Sequence, residues 1–185
     1  EKKRGRALSL YSLTEKATPV STIPQGVDDS FGFDVATNEK GSFIVWAEDD
    51  AKAEKPLVRL THVTADGKAD PPKTLTTPEV DVDSVHIVPT DRGFVVAWIA
   101  LKRDGLPPAD ASTEGPGEAR YTSWVEWLAL DGGGTPEGVP MIATKRSHVT
   151  WFTLAQRGNS AELFFVDEQA KAEAIPLNVL YEDED

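Results

Sequence analysis

The sequence predicts an all-β chain of short antiparallel strands, and three observations carry that expectation. The phrase "GSFIVWAEDD" at 41–50 is nearly rewritten as "RGFVVAWIAL" at 92–101, with tryptophan five residues after glycine in both. These runs, with "NSAELFFVDE" after Gly158, are rich in β-branched and aromatic residues and have strand length. Helical periodicity is nearly absent: only "EQAKAEAI" at 168–175 could make a helical turn, and it reads better as a join between two strands.

Taken in order, the elements fall into units. Upstream of Gly41 runs "DDSFGFDVATNEKG", upstream of Gly93 "DVDSVHIVPTDRG", and upstream of Gly158 "KRSHVTWFTLAQRG". Each has a serine nine or eleven residues before its glycine, an alternating apolar stretch, and a polar turn. A strand, a tight turn and a second strand are expected from each. The second half of a unit follows in "LVRLTHVTADGKADPPKTLTT" from Leu57 and "WVEWLALDGGGTPEGVPMIAT" from Trp124. Both read as a third strand, an Asp-Gly turn, a proline-bearing loop and a short fourth strand. Asp66-Gly67 and Asp131-Gly132 are expected to supply the positive φ of those turns. In "WVEW", Trp124 and Leu128 point to one face and Val125 and Trp127 to the other, the mark of a strand covered on both sides.

"RALSLYSLTEKATPVSTIP", from Arg6 to Pro24, matches the second half of a unit, and "AIPLNVLYEDED" reads as the third strand of the last one. The expected organisation is a single all-β domain over 1–185. It holds a trailing half-unit (6–30), a full unit (31–84), a full unit with an inserted loop at 101–123 (85–147), and an incomplete unit (148–185).

This organisation resembles the β-propeller proteins, whose blades are four-stranded antiparallel sheets around a central channel. The resemblance covers most of the chain and rests on pattern: Trp46 and Trp98 lie 52 residues apart, inside the spacing of propeller blades. The sharper marks are missing, with no "GH…WD" pairing, no "YWTD", no "SxDxGxxW" box and no kelch context for "DGGGTPEG". The chain is similar to the divergent propeller repeats of bacterial secreted or surface proteins. That resemblance implies a partial or split propeller and a periplasmic or extracellular setting. Because a ring needs four to eight blades, it also implies completion by a longer parent polypeptide, a second chain or a symmetry copy. The alternative fold is a two-sheet β-sandwich, which shares the short strands and frequent turns.

Composition narrows the chemistry. Apolar content of 39% and charged content of 27% place the 185 residues among globular chains. A net charge of −12 repels phosphate backbones and anionic lipid, so nucleic acid and membrane surfaces are poor partners. With no cysteine, disulfides, zinc-thiolate sites and thiol catalysis are excluded. No apolar run reaches the length of a membrane-spanning helix. No secretory leader is legible, and a chain opening at Glu1 reads as a mature or cut piece.

Candidate residues follow from the units. His86 and His148 fall just after aligned serines at the start of inner strands, where a shared metal or an acid–base pair is conceivable; the plainer reading is unrelated polar positions. Asp28, Asp29, Asp81 and Asp83, in "VDDS" and "DVDS", occupy corresponding loops and suit a hard cation such as calcium. Against that, aspartate before a strand commonly forms a turn, and no twelve-residue calcium loop is present. "DGGGTPEG" lacks the Gly-Lys-Ser/Thr ending of a phosphate loop and reads as a turn. No nucleophile elbow or HExxH motif is present.

The insertion at 101–123 is flanked by Lys102, Arg103 and Arg120 and followed by Tyr121 and Trp124. It reads either as a partner-gripping loop or as an excursion with its aromatics in the core. The expected function is a non-catalytic protein-binding or scaffold module within a larger assembly, joined to a protein partner or to further copies of itself. The alternative is a hydrolase or lyase domain using channel carboxylates, with calcium as its only foreseeable cofactor.

Overall fold

The computed structural model describes residues 7–13, 17–24, 30–50, 55–76, 80–103, 121–145 and 148–177. The strands are β1 (Ala7–Leu13), β2 (Ala17–Pro24), β3 (Ser30–Asn38), β4 (Gly41–Asp50), β5 (Lys55–Val63), β6 (Lys73–Thr74), β7 (Asp81–Pro89), β8 (Gly93–Arg103), β9 (Tyr121–Asp131), β10 (Met141–Ile142), β11 (Trp151–Arg157), β12 (Ser160–Val166) and β13 (Ala172–Leu177). The chain is all-β: no helix occurs among the described residues, and none there could cross a membrane.

Strands pair antiparallel with their sequence neighbours. β1 and β2 form a two-stranded ribbon, β3–β6 and β7–β10 form four-stranded sheets, and β11–β13 form a three-stranded sheet. No closed sheet is formed among the described residues.

Gly41 and Gly93 open β4 and β8, while Gly158 lies in the turn before β12, and the reason for glycine differs. A side chain at Gly41 or Gly93 would run into third-strand backbone, at the Val63 or the Leu130 carbonyl respectively. Gly158 has open space around it, and its φ of +58° is the reason for glycine there. The turns after the third strands follow the same logic, with one correction. Gly67 (φ +83°) closes the first, donating its N–H to the Thr64 carbonyl at 2.8 Å. In the second the positive φ falls at Gly134 (+75°) and not at Gly132, because the turn begins at Asp131, whose carbonyl accepts the Gly134 N–H at 3.0 Å. Residues 168–171 form a turn as well, with Asp167 Oδ1 accepting the N–H groups of Gln169 (2.9 Å) and Lys171 (3.0 Å). The strand expected from Ala174 starts earlier, at Ala172.

Alternation along β8 and β9 makes the central sheet apolar on both faces. Val96, Trp98, Trp124 and Leu128 meet Phe43, Val45, Val58 and Leu60 of the first sheet. Val95, Ala97, Val125 and Trp127 meet Phe152, Leu154, Leu163 and Phe165 of the third. The two faces read from "WVEW" are therefore present, and Trp124 is core. Each large side chain so buried contributes about 1.5–3 kcal/mol, which is why the sheets stack face to face. A third cluster, Ile44, Trp46 and Val63, lies on the opposite face of the first sheet.

The leading strands of the three sheets come together, with β7 contacting both β3 and β11. β3 and β7 each carry a bulge, between Ser30 and Phe33 and between Asp83 and Val85. The bulges face one another: the space a Gly32 side chain would enter lies 3.8 Å from the Ser84 Cα. Gly32 (φ +138°) and Ser84 (φ +43°) take the positive φ values that the bulges require.

Candidate functional site

The bulges set the register of the residues that follow, and Asp34 of β3 and His86 of β7 reach across the seam between sheets. Asp34 Oδ2 lies 3.2 Å from His86 Nδ1 and accepts the Ile87 N–H at 3.0 Å, while Oδ1 accepts the Val35 N–H at 2.8 Å. Burial works to raise the Asp34 carboxyl, but the hydrogen bonds from His86, Ile87 and Val35 together outweigh it and hold the group below its ordinary value. The His86 ring meets Phe152 of β11 edge-on, with centroids 5.0 Å apart and planes at 84°. One line of side chains thus joins β3, β7 and β11.

A second cluster sits where turns of the first two sheets meet. His62 Nε2 is 2.9 Å from the Lys40 carbonyl and Nδ1 is 3.2 Å from Asp70 Oδ2, while the ring stacks on Phe43 at 4.7 Å. Asn38 Nδ2 donates to the Gly132 carbonyl at 3.0 Å, tying the two sheets at this end. Asp131 is held below the usual carboxylate range chiefly by the Thr135 N–H, with further help from Gly133 N–H and Lys40. The cleft lined by Phe43, His62, Asp70, Lys73 and Gly134 measures about 30 Å³. That is room for a water molecule, far below the several hundred Å³ of a small-molecule site.

The other candidates are dispersed. His148 is exposed and lies 4.0 Å from Glu168, so His86 and His148 have different partners. Asp81 and Asp83 are half-buried on β7, opposite Leu101 and Ile99. Asp83 Oδ1 accepts the Ser84 N–H at 2.7 Å, so this aspartate shapes the bulge. Asp28 and Asp29 lie outside the described residues. Among the described residues no three histidine, aspartate or glutamate side chains gather as a metal-holding group. Lys102 is exposed and pairs with Thr122, and Arg103 pairs with Tyr121, at the end of the β8–β9 hairpin where the insertion departs. Arg120 and most of the insertion lie outside the described residues.

Asp34 was not singled out by motif, although a signal existed: Asp34 and His86 each stand seven residues before the glycine of their hairpin. The exposed aromatics of the third sheet, Trp151 (54%) and Phe164 (37%), were also missed. They look like core in the sequence because they sit in alternating apolar runs. No family model matches the chain, and a search of curated proteins finds no match.

Proposed function

We propose that this chain is a non-catalytic protein-binding or scaffold module of β-propeller type, working as part of a larger assembly. The observation that carries the reading is the third sheet. It buries Phe152, Leu163 and Phe165 against the central sheet while Trp151 and Phe164, on the opposite face, stay exposed. A stack of sheets that ends on large aromatics invites another surface. The propeller form is supported by the sheet topology, by three stacked sheets where a sandwich has two, and by the meeting of β3, β7 and β11. The non-catalytic form is supported by Asp34, whose carboxylate is engaged in holding two sheets together.

The test is the solution mass of the purified chain by size-exclusion chromatography with light scattering, beside a Trp151→Glu, Phe164→Glu double variant of unchanged circular dichroism. A defined oligomer that the double variant breaks is the expected result. Monomers in both cases remove self-association and leave a different polypeptide as the partner. An oligomer indifferent to both substitutions overturns the role given to this face.

A further inference from the structure

We infer that the Asp70–Pro71 peptide bond is a self-cleavage site, opened by attack of the Asp70 carboxylate on its own carbonyl carbon. It is the single Asp–Pro pair in the sequence. The structure surrounds that bond with the groups such a reaction uses. Thr61 Oγ–H donates to the Asp70 carbonyl oxygen at 2.7 Å, and Thr61 is 2% exposed. A fixed, buried donor thus stands where negative charge develops on the oxygen during attack. The Asp70 N–H donates to the His62 carbonyl at 2.8 Å, so the residue is anchored to β5 on both sides. His62 Nδ1 lies 3.2 Å from Asp70 Oδ2, which holds the carboxylate by one oxygen and leaves Oδ1 to attack. The leaving nitrogen belongs to proline, so it carries no N–H and no ladder bond restrains it.

Water is the co-reactant, and the cleft of about 30 Å³ beside the bond has room for it, with Thr61, His62, Asp70, Pro71 and Lys73 in its lining. Oδ1 forms a bond to the Asp70 carbonyl carbon, and the carbonyl π pair moves onto oxygen. As that pair returns, the carbon–nitrogen bond breaks, and its electrons take a proton from solvent at the Pro71 nitrogen. Asp70 is left as a cyclic anhydride and Pro71 as a secondary amine. Water then adds to the anhydride, giving a new α-carboxyl at Asp70 and restoring its side chain. His62 and Lys73 are the other ionisable groups lining the cleft. The cut leaves β6 in place, because Leu60 still pairs with Lys73, Arg59 with Thr74, and the Val58 N–H still donates to Thr76 Oγ1.

The inference is independent of the binding-module reading, because one bond is cut once and no substrate is turned over. It is tested by incubating the folded 185-residue chain at about pH 5, where an ordinary aspartate carboxyl is largely ionised and so nucleophilic. Mass spectrometry follows the intact chain, and circular dichroism confirms its fold. A single cut between residues 70 and 71 is expected, with the two fragments eluting together until urea separates them. Asp70→Asn should stop the cut. Thr61→Val should slow it at least about tenfold, while Thr61→Ser, which keeps the hydroxyl, should cut like the parent. The parent chain unfolded in urea keeps its Asp–Pro pair but loses the Thr61 donor, and should cut at least about tenfold more slowly. That comparison needs no variant to fold. Equal rates in the folded and unfolded chains, a Thr61→Val chain as fast as the parent, or no cut after residue 70 overturn the inference.

Discussion

At the scale of single residues, the tryptophans show how alike positions can differ in energy. Trp46 and Trp98 are both fully buried, five residues after a hairpin glycine. Trp46 Nε1–H donates to Glu48 Oε2 at 2.8 Å, and Glu48 Oε1 is met by Arg59 Nε at 3.0 Å. Trp98 Nε1–H has no acceptor among the described residues. Phenylalanine at either site leaves a similar void, but at position 46 it also removes a donor from a buried carboxylate. Trp46→Phe should therefore cost about 1–2 kcal/mol more than Trp98→Phe, measured by urea unfolding. Asp34 adds a pH dependence. Its folded value lies below its unfolded one, so its contribution is present above the ordinary value of 3.8 and lost as pH falls through the folded value. Asp34→Asn should cost about 1 kcal/mol at neutral pH, moderated by side chains about a third exposed, and should flatten the fall in stability on acidification. A fall as steep as that of the parent chain would count against the bond to His86.

At the scale of elements, the two-residue strands β6 and β10 are too short to be held by ladder bonds alone. Thr76 and Thr144 hold them, each accepting a buried amide from the third strand. Valine matches threonine in shape and cannot accept. Thr76→Val and Thr144→Val should each cost about 1–2 kcal/mol, with the double variant near the sum because the threonines serve different sheets. Chemical denaturation of the three variants checks both size and additivity. A marked excess in the double variant would mean that the first two sheets loosen together.

At the scale of the whole molecule, the central sheet shares its two faces with two different neighbours. It can lose neither without exposing a row of aromatic and β-branched side chains. Amides of β8 and β9 should exchange with solvent only through global unfolding, while those of β13, at the end of the stack, exchange through local opening. Hydrogen exchange read by mass spectrometry gives the order directly. Equal protection of β13 and β8 would mean that the third sheet does not open on its own.

Much of this chain was legible because strand formation is a local matter. The hairpin glycines, the two faces of "WVEW" and the turn at Gly67 follow from side-chain alternation and from backbone angles that few residues adopt. The shift of positive φ from Gly132 to Gly134 was hidden by three consecutive glycines, any of which permits it; the hydrogen bond to Asp131 chooses. The Asp34–His86 bond joins residues 52 positions apart on different sheets, and only the packing of β3 on β7 brings them within reach. Exposure was equally unreadable: Trp151 and Trp124 both stand in apolar runs, and one is half-exposed while the other is core. The sequence by itself determined where strands begin, turn and alternate, because those choices are made by neighbours along the chain. Tertiary structure alone decided which faces meet and which carboxylate is tied, because each depends on what another sheet places opposite.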